Sequence, residues 1–284
     1  MADNVIACID DSNYAQSVCD GAVWAAQKLQ APLHLLHVLD YVHGLGERNL
    51  SGTLGFGAQE TLLEELAELD EKRGKLAMEQ GKQMLAAALE RVKQAGISEA
   101  ETRQRHGELT DTLVDLADET RLLVVGKRGA ESASAHGHIG SHIEKIIRTM
   151  HKPILIVQQG FSAPKQLMIA YDGSPTIRKG IEMIAASPLL KDSVCHLVMV
   201  GKDTADNRES LAWAKNQLQQ SGIEAAEHII AGDPDSALEE FQRENAIDLL
   251  VMGAYGHSRI RHFIVGSTTT AMICRCKTSM LVLR

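Results

Sequence analysis

The chain has 284 residues, 44% apolar and 23% charged, a composition that excludes disorder as its main state and is long enough for about two domains. A formal net charge of −8 and only 4% aromatics exclude an electrostatic nucleic-acid or anionic-membrane binder and a base-stacking platform. No apolar run approaches the ~20 residues of a membrane span, Met1-Ala2-Asp3-Asn4 lacks a signal-peptide pattern, and five cysteines without a CxxC point to a reducing cytoplasm rather than a disulfide framework.

The first apolar run, 4–9, predicts a strand ending at Asp10-Asp11-Ser12. A helix is expected to start after Ser12, with the stripe Ala15, Val18, Cys19, Ala22, Ala26 and Leu29. A second strand follows at 33–39. Residues 41–58, with Gly44, Gly46, Gly52, Gly55 and Gly57, read as a loop. Residues 59–95 read as a long helical stretch carrying Leu62, Leu66, Leu69, Leu85, Leu89 and Val92, interrupted at Gly74 and Gly81. Gly96 is its expected stop. Further strands are expected at 122–126 and 153–157.

The pattern then starts again. Val5–Ser12 matches Leu167–Ser174 at an offset of 162 residues, Leu122–Gly126 matches Leu249–Gly253 at 127, and Pro153–Val157 matches Ser279–Leu283 at 126. The fall in offset locates about 36 extra residues in the first half, in an insertion at about 43–80. The expected domains are 1–158 and 159–284, with Gln158–Pro164 as the joint. In the second half strands are expected at 166–171, 194–200, 248–253 and 279–283, with Ser174-Pro175 as a helix start and Gly222 as a helix stop. Continuous apolar strands alternating with helices predict two α/β, doubly wound parallel-sheet domains.

Such sheets bind ligands beyond the carboxyl ends of their strands. There the second half carries Gly253, Gly256, Gly266 and Ser267 in the spacing G-x2-G-x9-G-S. Glycine at 253 and 256 lets backbone approach a phosphate, and Gly266, Ser267 and Thr268 would offer amides at a helix N-terminus. With the strand ending Tyr171-Asp172-Gly173-Ser174 and the repeat, these residues resemble the universal stress protein family in tandem form, over nearly the whole chain except the helical insertion.

The resemblance implies five parallel strands per domain, an adenine nucleotide alpha hydrolase-like fold, and dimerisation through the last strand. In one chain, 153–157 and 279–283 would then pair as an intramolecular pseudo-dimer about a pseudo-twofold; association of two chains into a homodimer is left open. It also implies that members with the intact glycine motif bind ATP or a related adenine nucleotide, with Mg2+ as a companion. By position, Asp172 would meet the nucleoside and Val200 the adenine through its backbone, while Gly253, Gly256, Gly266, Ser267 and Thr268 would cradle ribose and phosphates. Arg259, Arg261 and His262, in the intervening loop, would be within reach of the terminal phosphate. The first-half counterparts are Asp10, Val38, Gly126, Gly129, Gly140 and Ser141, but ten residues instead of nine precede Gly140, and Asp11 stands where Gly173 does. The extra carboxylate would repel a polyphosphate, and Lys127 and Arg128 would offset it.

Other clusters read more plainly. His136, His138 and His142 fall in a polar loop, Cys274 and Cys276 point to different helix faces, and Cys8, Cys19 and Cys195 read as core. There is no nucleophile elbow, no P-loop and no catalytic or metal set. The leading expectation is a cytoplasmic stress-response protein regulated by nucleotide. The alternatives are a weak ATPase and a non-nucleotide module whose insertion holds an apolar ligand or a protein partner.

Overall fold

In the computed structural model of the chain, residues 4–39, 56–129, 141–254 and 267–284 are described. The first half runs β1 (Asn4–Cys8), α1 (Ala15–Leu29), β2 (Leu33–Leu39), α2 (Phe56–Gln94), β3 (Ala100–His106), α3 (Leu109–Asp115), β4 (Thr120–Gly126), α4 (Ser141–Thr149) and β5 (Ile154–Val157). The second runs β6 (Gln166–Ala170), α5 (Pro175–Ala185), β7 (Val194–Val200), α6 (Ala205–Gln220), β8 (Ala225–Ile230), α7 (Pro234–Glu244), β9 (Leu249–Gly253), α8 (Ser267–Arg275) and β10 (Ser279–Leu283).

All ten strands form one sheet in the order β3-β2-β1-β4-β5-β10-β9-β6-β7-β8. Pairing is parallel within each half and antiparallel between β5 and β10, where Leu155 faces Leu281 on the local twofold. Among the described residues each half therefore has five strands, and the last strands join the halves as expected. The central strands are apolar on both faces because helices cover both. On one face Val5, Leu35, Val124 and Leu155 pack beneath α1 and α2, and Ile169, Leu197 and Val251 beneath α5 and α6. On the other, Ile6, Leu36 and Ile154 meet α3 and α4, and Val198, Leu250 and Met280 meet α7 and α8.

β3 and β8 are the two edge strands, and no apolar run announces them. Ala100–His106 has no buried residue, and along Ala225–Ile230 only Ala225 is buried. An edge strand carries polar side chains because one rim and much of its surface face water.

One helix expectation, that of α2, needs correction. α1 starts at Ala15, after Ser12 as expected, with Tyr14 as an N-cap that makes no side-chain cap bond. α5 follows the expectation: Ser174 Oγ accepts the Ile177 amide and Pro175 occupies the first turn. α2 is continuous through Gly74 and Gly81, 39 residues against 16 for α6. Gly81 is where the helix meets the sheet; a Cβ there would stand 2.6 Å from the His37 ring. The close approach, not a break, explains that glycine. Gly96 and Gly222, with φ of +94° and +80°, stand just beyond the ends of α2 and α6.

Candidate functional site

In each half the strand order reverses between the first and fourth strands, at β1/β4 and β6/β9. The crevice beyond their carboxyl ends is the natural ligand site of such a sheet.

In the second half this edge is built compactly. β6 ends one residue before Tyr171, whose amide bonds to the Val198 carbonyl of β7. Asp172 Oδ1 accepts the Ser174 amide at 2.9 Å, so the turn folds on itself and leads straight into the α5 N-cap. Gly173 between them has a φ of +70°, a left-handed conformation that a Cβ would strain. Its carbonyl accepts from Arg178 Nε at 3.1 Å. Arg178 also donates to Ser210 Oγ at 2.9 Å and stacks 4.9 Å above the Trp213 ring, while the buried Tyr171 hydroxyl meets the same Ser210 oxygen at 3.1 Å. This brace of α5 against α6 was not foreseen from the sequence. Its signal is thin, one of the chain's two tryptophans in a helix of otherwise polar composition.

The other candidates fall around that turn. Val200 is the half-buried last residue of β7, next to β6. Gly253 ends β9 on the other side of β6; a Cβ there would lie 3.4 Å from Thr176. Thr269 Oγ donates to the Gly253 carbonyl at 3.1 Å, which holds the first turn of α8 against the end of β9. Ser267 opens α8 and Thr268 is half-buried in the same turn. Asp172, Gly253 and the α8 N-terminus thus share one edge with Val200. Gly256, Arg259, Arg261, His262 and Gly266 lie outside the described residues.

The first half differs at the same edge. Asp10 Oδ1 accepts both the amide and the hydroxyl of Ser12, and Ser12 Oγ in turn accepts the Tyr14 amide at 3.2 Å. The longer turn brings Tyr14 against Gly126, where a Cβ would stand 2.7 Å from the tyrosine Cβ. Gly129 approaches Asp10, with its Cβ position 3.2 Å from Oδ2. Val38 is half-buried near the end of β2. Ser141 opens α4, and Gly140 lies outside the described residues together with His136 and His138.

Lys127 requires a correction. Its ammonium does not face the β4 edge to offset Asp11. It donates to the Cys276 carbonyl just past the end of α8, and burial pulls its pKa below the ordinary lysine value. Gln158 Nε2 donates to the same carbonyl at 2.8 Å. Across the seam Arg284, the counterpart of Gln158, donates to the Ile147 carbonyl near the end of α4 at 3.0 Å. Each half thus places a polar side chain on the negative helix end of the other.

Cys19, Cys195 and Cys276 are buried, while Cys8, expected in the core, and Cys274 are half-buried. Burial pushes the thiols of Cys19 and Cys195 up to about 11 and about 12, which makes them poor nucleophiles. Among the described residues no group of three or more metal-binding side chains occurs, and no helix is long and apolar enough to cross a membrane.

Comparison with known proteins gives matches along the whole chain. The model of the universal stress protein family matches twice, over residues 1–158 and 164–284. A universal stress protein of Synechocystis is 36% identical over 285 residues, covering 99% of each chain. Among solved structures, a universal stress protein from Archaeoglobus fulgidus superposes with a TM-score of 0.72 at 19% identity, covering 100% of this chain and 99% of its own. A putative universal stress protein from Pseudomonas aeruginosa gives 0.65 at 14% identity, covering 99% and 93%.

Proposed function

The chain belongs to the universal stress protein family, a stress-response family, and from that premise we propose that it binds ATP or a related adenine nucleotide, with Mg2+, at the carboxyl edge of its second half. The observation that carries this reading is the turn Asp172-Gly173-Ser174: short, left-handed at Gly173 and beside a Gly253 whose Cβ position is not crowded. In this reading Asp172 meets the nucleoside and the Val200 backbone meets adenine. Gly253, Gly256, Gly266, Ser267 and Thr268 cradle ribose and phosphates, and Arg259 reaches the terminal phosphate. The α8 N-terminus supports an anion there because free amides and the helix dipole both favour negative charge.

The first-half edge, with Asp10, Val38, Gly126, Gly129, Gly140 and Ser141, is the structural partner. Tyr14 fills the space beside Gly126, and Lys127 is committed to the seam. The halves act as domains 1–158 and 159–284, and nucleotide occupancy biases the conformation that a cytoplasmic partner reads. In the test, nucleotide-stripped protein is titrated calorimetrically with Mg-ATP beside a Gly266→Val variant. Binding by the parent and its loss in a variant with unchanged circular dichroism is the expected result. Equal affinity in a folded variant overturns the assignment.

A further inference from the structure

The Arg178 brace does more than join two helices. The Gly173–Ser174 peptide is held at both ends: its carbonyl accepts from Arg178 Nε at 3.1 Å, and its N–H donates to Asp172 Oδ1 at 2.9 Å. Arg178 therefore fixes the plane of the one peptide group that orients the Asp172 carboxylate. A guanidinium on the carbonyl also polarises the amide and strengthens the bond at the other end. Left alone, this peptide would turn over easily, because glycine at a φ of +70° tolerates either orientation. With the N–H turned away, the exposed Asp172 side chain would lose that bond.

Arg178 is itself held. Its Nη2 donates to Ser210 Oγ at 2.9 Å, the Tyr171 hydroxyl meets the same oxygen at 3.1 Å, and the guanidinium lies 4.9 Å above the Trp213 ring. A planar fork stacked on an aromatic ring has little freedom left. Helix electrostatics do not explain the residue. Arg178 is the fourth residue of α5, near the positive end of the helix dipole, where a cation gains nothing. The first half supplies the contrast. α1 contains no arginine and its one cation, Lys28, sits in the last turn. There the Ser12 amide and hydroxyl are held from the Asp10 side.

We propose that Arg178 is a positioning residue for the nucleotide site: it locks the Gly173–Ser174 peptide and through it sets the Asp172 carboxylate for the nucleoside. The inference rests on the nucleotide reading of the second half. Arg178 need not touch the nucleotide; its effect passes through Asp172.

Arg178→Met removes both donors and keeps an unbranched stem over Trp213, so α5 and α6 stay packed. Titrated calorimetrically with Mg-ATP, this variant should bind about tenfold more weakly than the parent, the scale of one charge-assisted hydrogen bond. In an Asp172→Ala background the same substitution should cost no further affinity, because the two residues act as a unit. A loss repeated in full in that background overturns the proposal, since Arg178 would then act on the phosphates directly or by loosening the domain. Hydrogen exchange followed by NMR on the nucleotide-free chain separates this inference from the site itself. The Ser174 amide should exchange about tenfold faster in Arg178→Met, with the amides of β6 unchanged. An unchanged Ser174 rate overturns the lock whether or not nucleotide binds. A parent chain that binds no Mg-ATP overturns the nucleotide role even where the Ser174 rate rises.

Discussion

The carboxyl edges of the two halves start from the same strand order and diverge within a few residues. After β6 the N-cap Ser174 comes two residues beyond Asp172; after β1 the N-cap Tyr14 comes four residues beyond Asp10. The short turn leaves Gly253 uncrowded, while the long one packs Tyr14 on Gly126. The residue after the fourth strand differs too, Lys127 in one half and Ala254 in the other, and Lys127 reaches across the seam to the end of α8. In the proposed reading, the repeated fold keeps one edge for a ligand and turns the other toward holding the halves together. The difference lies in turn length and in one cation, with the sheet unchanged.

The sharpest way to break that comparison is a matched pair of substitutions. Asp172→Ala should weaken ATP binding by about tenfold or more, the scale of one lost hydrogen bond to a charged group, while Asp10→Ala leaves affinity unchanged. Calorimetric titration reads both, and equal losses would mean that the edges are equivalent. A second pair probes the seam. A Cβ added at Gly21 in α1 would stand only 2.8 Å from the stiff Val157 Cγ1, whereas at Gly180 in α5 the same clash meets the rotatable end of the longer, buried Leu283 side chain. Gly21→Ala should therefore cost about 1–2 kcal/mol in urea unfolding, and Gly180→Ala should be close to neutral because the gain in helix propensity offsets a movable contact.

A third test concerns the two parts of α2. A Cβ at Gly74 meets nothing within 4 Å, so Gly74→Ala should raise stability by about 0.5–1 kcal/mol, while Gly81→Ala, against His37, should lower it. The smallest effect is one of pH. Burial holds His196 and His228 below their ordinary value of 6.5, and the two rings meet at 3.2 Å beside Phe241. The unfolded chain takes up protons there before the folded one does. Their contribution is present above 6.5 and is lost as pH falls through the lowered folded values. In the first half His34 is also lowered by burial, but it lies beside Glu101. Unfolding midpoints between pH 7 and pH 5 should therefore flatten more in a His196→Gln/His228→Gln variant than in His34→Gln.

Much of the fold was legible because its central strands are buried on both faces and read as continuous apolar runs, repeated at nearly constant offsets. The edge strands β3 and β8 were not legible from the residues, since sequences such as Glu101-Thr102-Arg103-Gln104-Arg105 have no apolar face to show. The continuity of α2 was hidden by propensity: glycine costs about 1 kcal/mol in a helix, but docking from Met78 to Gln94 decides the outcome. At the candidate site the glycines and Asp172 could be found by motif. The Arg178–Ser210–Trp213 brace and the Lys127 cap could not, because their partners are brought together by the fold from 32 to 149 residues away.

The most direct measurement is the stoichiometry of Mg-ATP bound to the nucleotide-stripped full chain by equilibrium dialysis. One nucleotide per chain, lost with Gly266→Val and retained with Asp10→Ala, is the predicted result. Two nucleotides per chain would contradict the division between the halves, and none would contradict the nucleotide site itself.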